Sequence, residues 1–159
     1  MKMMMIISVV MSVLVLSGCS GGTPVMDRAF VQSAGIEYGK NGYRIALSLF
    51  DDDAVYTGSG KTFEDAVNNA EIYAGKDFYT GHMQIIAVDL SEGMSVLEDL
   101  VNEDVSVGCL VTDRKDPLGY IMENDMEKVM EVTEAMARNN KYTQRNIRDI
   151  LNGRTDQDK

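Results

Sequence analysis

The chain has no tryptophan, two cysteines, two prolines and a single histidine among its 159 residues. The lone histidine, His82, leaves no histidine pair for zinc and no histidine-based triad with a plausible nucleophile. Only 15 lysines and arginines stand against 25 aspartates and glutamates, so the formal net charge is −10. This balance argues against an electrostatic grip on nucleic acid, and no nucleic-acid partner is expected.

The segment MKMMMIISVVMSVLVLSGC at the start of the chain has the layout of a secretory signal peptide. Its apolar run, from Met3 to Leu16, is shorter than the about 20 residues that a membrane span requires. The last four letters, LSGC, resemble a bacterial lipobox, in which the cysteine thiol takes up a lipid before cleavage. We therefore predict a signal peptide over 1–18 and a fatty-acylated (palmitate) Cys19, the alternative being a short uncleaved anchor.

Lipidation would tie the domain to the outer face of a membrane, because two acyl chains hold a protein stably. Residues 19–27 are the predicted lipidated tether, and the SGGTPVM within it predicts flexibility. With Cys19 committed to lipid, Cys109 has no partner for an intrachain disulfide. Cys109 lies in the alternating run DVSVGCLVTD, which indicates a small buried hydrophobic residue, with a reactive thiol as the alternative.

Hydrophobic periodicity predicts an α/β (α+β) fold, with a single mixed β-sheet of about four strands in ββαβαβ order. Helices pack on the sheet in a two-layer arrangement, and C-terminal helices follow. The predicted strands share apolar runs or alternation: 28–38, 43–50, 77–90 and 105–112. The predicted helices share apolar residues at helical spacing: 61–75, 92–102, 124–139 and 143–152. The domain is expected over 28–139, and a charged helical tail over 140–159.

Two local signals fix boundaries within this pattern. The Asn41-Gly42 pair predicts the turn of a hairpin between the first two strands, because both residues tolerate positive φ. Thr62 and Asp65 form a variant of the capping box at the start of the first helix, and Gly75 is placed to end that helix. The stretch DDDAVYTGSG between the hairpin and the helix is predicted to be a polar loop.

The stretch TGSGKTFEDA imitates a phosphate-binding loop at Gly60-Lys61-Thr62. A true P-loop has a further glycine upstream, with four residues between, so that the chain can bend round a phosphate. That position is Val55, a β-branched residue that suits a left-handed turn poorly. A loop leading into a capped helix is the preferred interpretation, and a nucleotide hydrolase is the alternative; no nucleotide partner is expected.

Other candidate chemistry is sparse. The carboxylates of Asp51, Asp52 and Asp53 indicate a solvated acidic loop, with a calcium site as the alternative, since their spacing does not follow a strong calcium loop. His82, after Gly81, is predicted to make a structural hydrogen bond at a strand entrance. No enzyme activity, cofactor or metal is expected from these residues.

The predicted helix at 124–139 carries a methionine-rich stripe. Five of its residues are expected to face inward: Met126, Val129, Met130, Thr133 and Met136. A core face is the simpler interpretation, because methionine fills irregular gaps, and an adaptable docking surface is the alternative.

Several segments in order resemble the N-terminal domain of the Ger(x)C spore germination lipoproteins. They are the lipobox cysteine, the Asp27-Arg28 pair at the start of DRAFVQSAGIEYGKNGYRIALSLF, a Gly-Lys-Thr helix start, and YTGHMQIIAV in the pattern YxGHxxxIxV. The resemblance runs over about residues 16–113. Family members usually carry tryptophan directly after the lipidated cysteine and continue into further domains, whereas this chain has Ser20 there.

The resemblance implies a non-enzymatic C subunit of a nutrient germinant receptor, anchored on the outer face of the spore inner membrane. Its expected partners are the membrane, through the lipid, and integral membrane receptor subunits. It implies lipid attachment at Cys19 and family-like framework positions at Asp27, Arg28, Gly60, Lys61, Thr62, Gly81 and His82. The alternative is a generic small envelope lipoprotein that binds a ligand or another envelope protein.

Overall fold

A computed structural model of the protein describes residues 28–91, 94–139 and 144–155. The predictions for the signal peptide, Cys19 and Asp27 lie outside these residues. The strands of the described part are β1 Arg28–Gly39, β2 Gly42–Leu49, β3 Asp52–Gly60, β4 Asp77–Tyr79, β5 Ile85–Val88 and β6 Leu110–Asp113. Its helices are α1 Phe63–Ala74, α2 Met94–Asn102, α3 Pro117–Glu123, α4 Met126–Arg138 and α5 Ile147–Thr155.

The strands form one mixed sheet in the order β3-β2-β1-β5-β6, and β4 pairs with β1. The hairpin neighbours β1–β2 and β2–β3 are antiparallel, whereas β4 and β5 run parallel to β1, and β6 runs parallel to β5. The predicted α+β class with a mixed sheet is therefore confirmed, although the strand count and order differ in detail from the prediction.

Helices cover both faces of the sheet, so the predicted two-layer arrangement is wrong. Ile86 of β5 belongs to a cluster with residues of α1, α2 and α5, while its neighbour Ile85 belongs to a second cluster with residues of α3 and α4. This division follows from the strand, because successive side chains point to opposite faces. We call the two sides the α1 face and the α4 face.

The segment predicted to be a polar loop is strand β3, and that prediction is wrong. Its residues pair with β2 from Gly60 opposite Tyr43 to Asp52 opposite Leu49. A Cβ atom at Gly58 would overlap the carbonyl oxygen of Ala66 in α1, and one at Gly60 would overlap the side chain of Asp65. The glycines that suggested a loop therefore allow α1 to lie directly on the strand.

Other elements also depart from the predictions. The predicted strand at 77–90 is two strands, β4 and β5, separated by a turn around Gly81 and His82. The predicted strand at 105–112 is shorter and begins at Leu110. Helix α3 was not predicted. In the hairpin turn, Gly42 has φ +96° as expected, but Asn41 does not adopt a positive φ.

The predicted boundaries of α1 are confirmed. Thr62 Oγ1 accepts from the backbone N–H of Asp65 at 3.0 Å, and the Asp65 carboxylate accepts from the N–H of Thr62 at 3.3 Å. Gly75 has φ 64° at the C-terminal end of the helix. A helix start leaves four backbone N–H groups without partners in the helix, and the capping box gives two of them a hydrogen bond.

The outer edge of β6 is covered by the chain that enters α5. The N–H of Val111 donates to the carbonyl of Arg145 at 2.9 Å, and the N–H of Ile147 donates to the carbonyl of Cys109 at 3.1 Å. Ile147 and Ile150 are buried in the cluster on the α1 face. Helix α5, within the segment predicted as a charged tail, is therefore part of the core.

Candidate functional site

The predicted framework residues that the structure describes lie at two ends of the sheet. Arg28 begins β1 opposite Asp77 of β4, at what we call the N-terminal end of the sheet. Gly60 lies opposite Tyr43, which pairs with Tyr38, at what we call the hairpin end. The framework residues therefore do not form one site.

His82 is held by ring contacts rather than by the predicted hydrogen bond. Its imidazole lies 5.2 Å from the ring of Tyr79 in an edge-to-face arrangement and 6.1 Å from the ring of Phe30. Within residues 28–91, 94–139 and 144–155, the hydrogen bonds found include none to this imidazole. A Cβ at Gly81 would stand 2.6 Å from the hydroxyl oxygen of Tyr79, so a larger residue there would displace this ring. The Gly81-His82 pair thus shapes the turn between β4 and β5.

The residues of the Gly60-Lys61-Thr62 motif act as a strand end and a helix cap. Besides the capping-box pair, the N–H of Ala66 donates to the carbonyl of Thr62 at 3.2 Å. Asn69 Nδ2 donates to the carbonyl of Ser59 at 2.6 Å and ties α1 to β3. The capping box therefore already engages two of the N–H groups at this helix start that a phosphate would use.

A pocket at the hairpin end is lined by Lys61 together with the acidic side chains of Asp99 and Glu103. The hydroxyl of Tyr43 donates to Asp99 Oδ2 at 2.6 Å, and burial together with this carboxylate raises the pKa of Tyr43 well above its ordinary value. Burial also raises the pKa of Glu103, and the nearby Glu64, Asp99 and Asp65 raise it further. Such a field repels an anionic ligand, which agrees with the framework role of the motif.

Asp52 is the center of a hydrogen-bonded group, not a solvated loop residue. Its carboxylate accepts three hydrogen bonds: from Lys76 Nζ at 2.8 Å, from the hydroxyl of Tyr56 at 2.8 Å and from the N–H of Ala54 at 3.0 Å. The hydrogen bond from Lys76, then those from Ala54 and Tyr56, hold the pKa of Asp52 far below its usual range. Within the described ranges no group of three or more potential metal ligands occurs.

The prediction of a buried hydrophobic role for Cys109 is confirmed. Its side chain is 2% exposed, and burial raises the pKa of the thiol to about 12. The thiolate is the nucleophilic form of cysteine, so this residue is inert at neutral pH. Cys109 precedes β6 instead of lying in an alternating strand.

A groove of about 400 Å³ lies on the α4 face, between β6 and α4. Its apolar wall includes Leu110 of β6, Tyr120 of α3, and Val129 and Met136 of α4. The guanidinium of Arg114 stacks over the ring of Tyr120 at 4.5 Å and adds a positive charge at the wall. This groove is the candidate docking surface.

Helix α4 is only partly buried against this groove. Met126 is buried, whereas Val129, Met130 and Thr133 are half-buried and Met136 is 44% exposed. The predicted inward orientation is therefore confirmed for Met126 and wrong for Met136. Val132, which was not predicted as part of the stripe, is 56% exposed beside it. Gln144 also lines the groove, and its buried Nε2 has no hydrogen-bond partner in the described part of the chain.

None of the helices in the described part of the chain combines the length and the apolar character that crossing a bilayer requires. Residues 22–92 match the family model of the spore germination protein N-terminal domain. No curated protein and no solved structure matches the chain. The matched segment includes β1 to β5 and α1, and with them Arg28, the Gly60-Lys61-Thr62 motif and the ring cluster of His82.

Proposed function

We propose a membrane-anchored, non-enzymatic role in spore germination, on the premise that residues 22–92 match the spore germination protein N-terminal domain. The protein is a lipoprotein that docks to the integral membrane subunits of a nutrient germinant receptor. The family match is the observation that carries this proposal.

The chemistry of the framework residues supports a non-enzymatic role. His82 is engaged in ring packing, the Cys109 thiol is buried, and Lys61 precedes a helix cap with occupied donors. Catalytic nucleophiles and bases need access to a substrate and a partner within hydrogen-bond reach. These residues support a module that works by binding.

Anchoring rests on Cys19 and the lipobox that ends in it. A thiol alkylated by diacylglycerol, on a chain cleaved before that residue, gives a stable attachment without a membrane-spanning helix. The protein is then held on the outer face of the spore inner membrane, beside the integral membrane subunits.

The groove on the α4 face is the docking surface in this proposal. Met136 lines it, and exposed Val132 lies one helical turn before Met136 on α4. Methionine side chains adapt their shape to a partner because they are unbranched and polarizable. Tyr120 and Arg114 supply an aromatic ring and a cation, the residue types that dominate binding energy at interfaces. A segment of an integral membrane subunit fits this combination.

Anchoring is tested in spores that carry a tagged full-length protein in place of the native one. We expect the native protein in the membrane fraction, and we expect Cys19→Ala to leave it and to slow nutrient-triggered germination. Mass spectrometry of the purified protein should show diacylglycerol on Cys19. An unmodified cysteine in a protein that still acts in germination would contradict the anchor.

Docking is tested by co-purification after mild detergent extraction. We expect a multi-spanning membrane protein with the native protein, and strongly reduced recovery with the double variant Val132→Glu and Met136→Glu. Ser95→Glu, at an exposed position of α2, adds a charge outside the groove and should leave recovery unchanged. If no membrane partner co-purifies and deletion leaves germination unchanged, the alternative of a generic envelope lipoprotein, expressed in growing cells, is favored.

A further inference from the structure

We propose that the N-terminal end of the sheet faces the lipid bilayer, with Ile72 and Tyr73 of α1 inserted among the lipid headgroups. The inference rests on the proposed lipid anchor at Cys19. It adds to that proposal an orientation of the domain and a second contact with the membrane.

The length of chain between the anchor and the sheet sets this orientation. Arg28, at the start of β1, lies nine positions after Cys19, and this stretch of chain reaches at most about 32 Å when fully extended. Along β1, the ten steps from Arg28 to Tyr38 cover about 33 Å. For the hairpin end to face the lipid, Arg28 would stand a whole strand length above it. An arrangement with the hairpin end on the lipid therefore needs a fully extended tether, whereas the N-terminal end reaches the lipid with any tether length.

Three other elements meet Arg28 at this end. Helix α1 finishes here, because the N–H of Phe78 in β4 donates to Glu71 Oε1 at 2.6 Å. Lys76 Nζ, just after α1, contacts Asp52 Oδ2 at 2.8 Å and so fixes the helix end beside the turn that follows β2. The proposed lipid anchor at Cys19 therefore places the last turn of α1 next to the lipid surface.

That last turn carries apolar side chains that the fold leaves uncovered. Ile72 is 76% exposed and Tyr73 is 85% exposed, while the opposite side of α1 buries Phe63 and Ala70. Phe50, whose N–H donates to the carbonyl of Phe30 at 3.1 Å, is 42% exposed at the same end. Tyrosine is enriched at membrane interfaces because its ring is apolar and its hydroxyl stays hydrated.

The charges at this end determine which lipids it accepts. Asp51 and Asp53 are exposed, and Lys76 is engaged by Asp52. Among the described residues beside Ile72 and Tyr73, Arg28 and Lys76 are too few to form the basic cluster that binds anionic lipid. Insertion of apolar side chains into a neutral bilayer is the contact that these residues favor. We expect anionic lipid to weaken the contact and added salt to have little effect on it in neutral lipid.

The absence of tryptophan from the chain makes a specific test possible. Residues 19–159, the product of cleavage before Cys19, are coupled through the Cys19 thiol to a maleimide lipid in phosphatidylcholine vesicles, while buried Cys109 stays unreacted. Tyr73→Trp then supplies a fluorescent reporter, and lipids with brominated acyl chains quench it on contact. Tyr38→Trp, at the hairpin end and 45% exposed in the native residue, is the matched control.

We expect a blue shift and strong quenching for Tyr73→Trp, and neither for Tyr38→Trp. Adding Ile72→Asp to Tyr73→Trp, or phosphatidylglycerol to the vesicles, should reduce the quenching. Equal quenching at both positions, quenching only at position 38, or none at either would overturn the orientation. Because the anchor is supplied chemically, this outcome is independent of native lipidation, which the mass of Cys19 from spores reports separately.

Discussion

The two faces of the sheet differ in how completely their helices are buried. On the α1 face, Leu47, Leu97 and Leu100 have no exposed surface. On the α4 face, α3 packs against β1, β2 and β5, but Met126 is the one residue of α4 that is buried. The comparison indicates that the α1 face holds most of the core and that the α4 face leaves apolar surface exposed.

Replacing a buried residue on each face should separate these roles most clearly. Leu47→Ala removes a fully buried side chain from the α1 face and should lower the free energy of unfolding by about 2–5 kcal/mol. Met136→Ala, on the α4 face, should change it by less than about 0.5 kcal/mol. Urea unfolding followed by circular dichroism measures both. Similar losses for the two variants would show that α4 contributes to the core after all.

The close approach of α1 to β3 is tested by adding one methyl group. Gly58→Ala places a Cβ against the carbonyl oxygen of Ala66, which α1 can relieve only by moving, and should destabilise the protein by about 1–3 kcal/mol. Gly39→Ala is the matched control, since a Cβ there meets nothing within 4 Å. The same unfolding measurement applies. A Gly58→Ala protein as stable as the control would contradict the contact that defines this face.

The smallest effect is expected at the rim of the α1 face, where Asp52 joins β3 to the end of α1. Lys76 holds the folded-state pKa of Asp52 below its unfolded value. The ion pair thus contributes stability above the ordinary carboxyl pKa of about 3.9 and loses it as the pH falls through the lowered folded-state value. We expect Asp52→Asn to be less stable than the native protein at pH 7.

The pH series supplies the check on this prediction. The difference in unfolding free energy between Asp52→Asn and the native protein should shrink as the pH falls below about 4. Asp51→Asn removes the same charge from the exposed neighbor and should show a smaller effect at pH 7. A difference for Asp52→Asn that stays constant with pH would exclude the ion pair as its cause.

Secondary structure could be predicted from the sequence where the local pattern agrees with the burial of the residues. The hairpin of β1 and β2 follows from two apolar strands around a glycine turn, and α1 follows from its cap at Thr62 and its stop at Gly75. The mixed sheet with helices was predictable for the same reason. Helix α3 could have been found, because Asp116 before Pro117 is a helix-start signal: Asp116 accepts from the N–H of Gly119 at 2.8 Å.

Other elements depend on contacts that no local pattern reveals. Strand β3 contains aspartates and glycines, which are depleted in strands, and it forms because β2 pairs with it and α1 needs its glycines. The run around Val105 and Val107 alternates like a strand, but Asp104 has φ 61° and the sheet begins only at Leu110. A docking surface on α4 was predicted only as an alternative. A stripe of methionines in the sequence does not show how much of the stripe other elements of the fold bury.

Residues 145–148 run along the outer edge of β6 and cover its backbone groups. This segment therefore protects the sheet from pairing with other chains. The N–H of Arg148 reaches the carbonyl of Val107 at 3.1 Å, beyond the contacts that Val111 and Ile147 make. Without these residues a row of strand N–H and C=O groups would stand open as a template for other chains. Shortened versions that stop before Gln144 would therefore be prone to aggregate through this border, whatever becomes of the remaining core.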